Sequence, residues 1–181
     1  MRVGYPLGRL RRLHAALHVH VSVLIATVLI GFSAVESPAF ATVTFLSLIA
    51  LILLHEAGHS IVARRLGYAT TAIRFSLIHG RCEHDAPANR WDETLIAWGG
   101  VAAQTLVAIP LCLFDAFWHR SLGVFAPVVL ILGYWSFVVA VYNLAPARGF
   151  DGAKAWRIIP LLRARFAARK VVQSALKKTR P

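Results

Sequence analysis

Polar and apolar positions do not alternate along most of this chain; they are segregated into long apolar runs separated by short polar connections. About 20 helical residues, at 1.5 Å each, cover the ~30 Å hydrocarbon core of a bilayer. Four runs come to about that length: residues 19–35, 39–63, 94–118 and 122–145. Between the second and third, Thr70-Thr71-Ala72-Ile73-Arg74-Phe75-Ser76-Leu77-Ile78 is rich in β-branched residues and predicts a short β element. From residue 153 on, Trp156, Ile159, Leu162 and Phe166 are interleaved with Arg157, Arg163, Arg165 and Arg169. That pattern predicts a helix lying on a membrane surface, followed beyond about Gln173 by a disordered basic tail. The fold class expected is an all-α polytopic membrane protein with about four transmembrane helices. Residues 1–181 form one membrane-embedded domain with a core at about 39–152.

Composition agrees: 57% of residues are hydrophobic and 15% charged, against roughly 25% charged in soluble domains. The net charge of +12 would suit nucleic acid were it spread over one surface. Instead, Arg120 is the only Lys or Arg in the first and third connections between runs. The other 19 of 20 basic residues lie before the first run, between the second and third, or after the fourth. By the positive-inside rule both termini are cytoplasmic, and the protein is expected as a multi-pass protein of a bacterial cytoplasmic membrane. The basic residues then meet anionic headgroups, so membrane lipids are expected partners and nucleic acid is not. The arginine-rich start and Ala39-Phe40-Ala41 also have the outline of a secretory signal peptide. Against that, the apolar stretch is long, and a cut after Ala41 would trim the second run. Cys82 and Cys112 fall on the cytoplasmic side and within the third run, so no disulfide is expected.

The chemistry concentrates in His55-Glu56-Ala57-Gly58-His59, an HExxH pattern at the end of the uncharged stretch from Phe40 to Leu54. Four-residue spacing stacks the two imidazoles on one helix face, where they can share one zinc ion. Such an ion lowers the pKa of its water to about 7, and a carboxylate at Glu56 is placed to take the proton. Two core histidines and a buried glutamate would be the plain alternative. Yet an acidic residue within a bilayer helix costs roughly 2.5–3.5 kcal/mol, and ionisable residues at that depth are usually functional. A zinc site needs a third protein ligand. Arg65 and Val62 stand where the longer HExxHxxGxxH pattern requires His and Gly. Glu83 and Glu93, in or beside a polar connection, suit solvated carboxylates better. Asp151 is the stronger candidate, because the second and fourth runs both lead toward the cytoplasm and bring it to the same side as the histidines.

Taken together, HExxH and the later Asn143-Leu144-Ala145-Pro146-Ala147-Arg148-Gly149-Phe150-Asp151-Gly152 resemble the two signatures, HExxH and NxxPxxxxDG, of the site-2 protease family of intramembrane zinc metalloproteases. The resemblance covers about residues 39–152, with His20-Val21-Ser22 like a lead-in found in some members. It implies one zinc per chain on His55, His59 and Asp151, Glu56 as catalytic base, and Asn143 near the active site. It also implies single-span membrane proteins as substrates, cut within or near the bilayer, and a β element that lines their path. No stretch is left for the PDZ or CBS domains of other members, which points to a minimal form.

One departure is Trp98-Gly99-Gly100-Val101-Ala102-Ala103-Gln104, where many members end a glycine-rich motif in Asn. Gln104 either supports the active site through similar hydrogen bonds or joins two helices; Gly99 and Ala103 allow close helix approach. Further pairings carry less. His79, Cys82 and His84 could chelate a second metal but suit an ordinary polar loop. His14 and His18 fit an interfacial helix face, and Asp115 with His119 a surface pair. The reading is an intramembrane zinc endopeptidase; the alternatives are a catalytically silent scaffold for transmembrane partners and, third, a zinc transporter.

Overall fold

A computed structural model describes residues 4–10, 15–20, 37–75, 80–118 and 121–178. Among them, three helices are long and apolar enough to span a membrane: α1 (Pro38–Arg65), α2 (Arg90–Phe117) and α3 (Gly123–Asn143). They match the second, third and fourth apolar runs to within a few residues. Of the first expected span, residues 21–35 lie outside the described residues, as do His14, His79 and His119.

The helix ends follow local rules. Pro38 takes the first position of α1, where its missing N–H costs nothing. Arg64 and Arg65 occupy the last turn, next to the carbonyl end of the helix dipole. Gly67 then turns the chain at φ +93°, with Tyr68 N–H donating to Ala63 O at 2.9 Å and Gly67 N–H to Arg64 O at 3.1 Å, a Schellman cap. At the start of α2 the Asn89 side chain accepts from Asp92 N–H at 2.9 Å, with Asp92 and Glu93 in the first turn.

The sheet is larger than the sequence pattern predicts. It has four strands in the order β1 (Gly4–Leu10), β2 (Ala15–His20), β3 (Thr70–Phe75), β4 (Gly80–His84). The outer pairs are antiparallel and β2–β3 is parallel. A parallel pair needs a long crossover, which residues 21–69, including α1, supply. The expected run at 70–78 is thus the middle of a sheet rather than an isolated element, and the first expected span does not begin at Val19. His18 lies in β2 opposite Arg74, so the expected helix face of His14 and His18 is replaced by a strand. At the other end, α5 (Ile158–Lys178) follows a short α4 (Gly152–Ala155). Its helix continues past Gln173, where a disordered tail was expected.

α1 and α2 run antiparallel, as the pairs His55–Gln104, Gly58–Gly99 and His59–Ile96 require. At the crossing, a Cβ on Gly99 would come within 2.6 Å of Gly58 O, so backbone packs on backbone. The five-residue connection 118–122 returns the chain as α3, which widens into π-helical turns at Val129–Trp135 where Gly133 meets Cys112 of α2.

Candidate metal centre

His55 and His59 are both buried and face α2 from one side of α1. Their rings meet edge to face, 4.7 Å between centroids. Each ring's inner nitrogen is committed to α2: His59 Nδ1–H donates to Ile96 O at 2.7 Å, and His55 Nδ1–H to Gln104 Oε1 at 2.9 Å. A carbonyl oxygen can only accept, so in the neutral rings both Nε2 atoms carry lone pairs. Those atoms lie 3.1 Å apart, and Asp151 Oδ2 stands 2.9 Å from one and 3.1 Å from the other.

Three electron-pair donors facing one another at that spacing repel unless a cation lies among them. Ligand atoms of a tetrahedral zinc at ~2.0–2.1 Å are themselves about 3.3 Å apart, close to what is seen. The donor set and its fixed tautomers therefore fit a metal ion, with Gln104 and Ile96 orienting the imidazoles from behind. Among the described residues His55, His59 and Asp151 are the one cluster of this kind.

Gly100 explains how the rings fit. A Cβ there would lie 2.6 Å from His55 Cε1 and 2.7 Å from His59 Nε2, so the rings rest on bare backbone. Glu56 is likewise buried, in electrostatic reach of both histidines and Asp151, with Cys82 N–H as a backbone donor. Gly80 of β4 lies against its carboxylate, where any Cβ would overlap it. Burial and the nearby Glu56 charge push the Cys82 thiol up to about 12. An apolar cleft of about 470 Å³ opens beside this region, lined by Leu53, Leu54 and Ala57 of α1, Ile73 of β3, Val107 of α2 and Leu132 of α3.

The fully buried Gln104 holds His55, and its Nε2 has no hydrogen-bond partner. Asn143 closes α3, half-buried, and is not a hydrogen-bond partner of the cluster. Glu83 pairs with Arg74 at 2.7 Å, and Glu93 with Lys154 and Arg157 at 3.3 and 2.7 Å; neither is solvated alone, and neither joins the metal cluster. Asp115 accepts from Tyr134 OH at 2.9 Å. Sequence reasoning missed Gly80, Gly100 and the Ile96 carbonyl; the Gly99-Gly100 pair inside an apolar helix was the available signal, since each glycine costs about 1 kcal/mol there.

The backbone matches a site-2 protease from Methanocaldococcus jannaschii with a TM-score of 0.70, covering 86% of this chain and 71% of that one at 22% identity. The fold is that of a site-2 protease. In sequence, a zinc metalloprotease of the same organism is 25% identical over 158 residues, 87% of this chain and 46% of that protein. The chain thus spans about half the length of this curated relative. No family model matches the chain. Within the site-2 protease fold, the two motifs that carried the resemblance in sequence are the two that meet at the His55–Asp151 contact.

Proposed function

We propose that this protein is a zinc metalloendopeptidase that hydrolyses a peptide bond within or near the transmembrane segment of membrane protein substrates. The observation that carries the reading is the convergence of His55, His59 and Asp151 beside a buried Glu56 on apolar helices. The names of its fold neighbour and its relative agree with it. His55, His59 and Asp151 hold the metal, one ion per chain. A bound zinc supplies Lewis-acid polarisation of the scissile carbonyl and acidifies the attacking water.

Glu56 accepts the water's proton and delivers it to the leaving amine. Gln104 and Ile96 keep both Nε2 atoms free of protons, so the histidines stay ligands throughout. The apolar cleft beside Ala57 suits an apolar substrate side chain, and the sheet gives an extended segment an edge to pair with. Because a helix shields its carbonyls, a substrate helix must unwind locally before cleavage. Both termini lie in the cytoplasm in this reading, in a bacterial inner membrane, with anionic lipid around the basic end.

A silent scaffold with the same groove is the competing account; a buried Glu56 beside the cluster serves catalysis and has no part in a scaffold. The test is cleavage of a panel of single-span proteins in lipid vesicles, with fragment ends located by mass spectrometry. The unmodified protein should cut within or near the spans. Glu56→Gln should retain zinc and lose at least about 10²–10⁴-fold in rate, the usual worth of a general base. Equal cutting by Glu56→Gln would remove the general-base role, and an inert unmodified protein would favour the scaffold.

A further inference from the structure

Asp151 is the one metal-ligating residue that no spanning helix carries. It follows a turn with Gly149 at φ +96° and precedes α4, four residues long, too short to hold its own geometry. Something else must fix it. The geometry points to Glu93 and Trp98 of α2 as positioning residues that hold Asp151 against the histidines. The inference rests on the reading of His55, His59 and Asp151 as zinc ligands.

Two sets of contacts grip the segment after Asp151. One folds it onto the end of α3: Gly152 packs so closely on the Leu144 and Ala145 carbonyls that a Cβ would overlap them, and Trp156 Nε1–H donates to Leu144 O at 2.7 Å. That set only ties the segment to the chain just before it. The other ties it to α2. Trp98 Nε1–H donates to Ala155 O at 3.0 Å; Thr94 Oγ1 donates to Arg90 O of its own helix at 2.8 Å and lies 3.3 Å from Lys154 O. The Glu93 carboxylate takes Lys154 and Arg157, and the Trp98 ring meets Trp156 edge to face at 6.0 Å.

The same helix holds the histidines, through Ile96 O, Gly100 and Gln104. α2 contributes no ligand, yet over the eight residues from Glu93 to Gly100, just over two turns, it sets the distance between the segment bearing Asp151 and the histidine rings. Because a helix is stiff over that length, all three ligands are placed on one ruler. The Glu93 pairs are partly exposed, with side-chain exposures of 26% for Glu93 and 44% for Arg157. Exposed pairs of this kind are weak, so the Trp98 hydrogen bond carries more of the placement.

Zinc affinity of the purified full chain, measured in zinc-buffered solution, tests this in two backgrounds, unmodified and Asp151→Asn. In the unmodified background Trp98→Phe should weaken binding about tenfold and Glu93→Gln about threefold, as for outer-sphere partners of a metal site. In the Asp151→Asn background both effects should shrink to within about twofold, because the carboxylate they place has gone. Equal weakening in the two backgrounds would show a general structural role and overturn the inference, as would unchanged affinity in the unmodified background. Glu93→Gln, at the surface, decides the matter should Trp98→Phe fold poorly. An unmodified chain that takes up no zinc would instead bring down the metal-centre reading, and this inference with it.

Discussion

At the residue scale, absent side chains do as much as present ones. The histidine rings rest on Gly100, so Gly100→Ala puts a methyl group where the rings lie. Zinc affinity should fall by at least about tenfold with the helices still formed, which a zinc-buffered titration beside circular dichroism would reveal. Cys82 offers a check on the Glu56 surroundings. A thiol raised from 9.0 to about 12 is protonated at neutral pH, and its reactive thiolate is about a thousandfold scarcer than an ordinary cysteine's. In a Cys112→Ser background its alkylation rate should keep climbing as pH rises past 10. A plateau near pH 9 would mean that Cys82 is not buried against Glu56. The histidine pair was legible at this scale because HExxH is local and its spacing fixes a helix face. Gly80, Gly100 and Ile96 O were not, since nothing within a few residues of any of them shows what it packs against.

At the element scale, the three described spans were readable from apolar length alone, with their ends placed to within a few residues. The sheet was only half readable. β3 shows in the run of Thr and Ile, whereas β1 and β2 contain Gly4, Pro6, Gly8 and two histidines, and β2, which joins both to the sheet, pairs with a strand more than fifty residues away. Tertiary pairing overrides local preference there. The Gly58–Gly99 crossing of α1 and α2 sets how near Glu56 and the histidines come to α2. Gly99→Leu should force these helices apart and lower the thermal midpoint in detergent by several degrees, consistent with about 1–3 kcal/mol of overpacking. Ala102→Leu, at an exposed position of the same helix, should change it by far less.

At the scale of the whole molecule, the basic end of α1, the first turn of α2 and the basic segment after α3 gather at one end with the sheet. His55 is nine residues before Arg64, about 13 Å along the helix. The proposed topology places the candidate site within the bilayer but toward that end. In a Cys82→Ser, Cys112→Ser background, cysteines at Ser37 and Ser121 should react with membrane-impermeant reagents from outside alone, and one at Ala147 from the cytoplasmic side. Cytoplasmic labelling of Ser37→Cys and Ser121→Cys would reverse the topology.

The central claim is that Asp151, 96 residues from His55, completes a zinc site with the two histidines. Zinc content of purified chains tests it most directly. The unmodified protein and Glu83→Ala should carry about one ion each, and Asp151→Ala should keep only a small fraction after mild chelation. Full retention by Asp151→Ala, with loss in Glu83→Ala, would contradict the account.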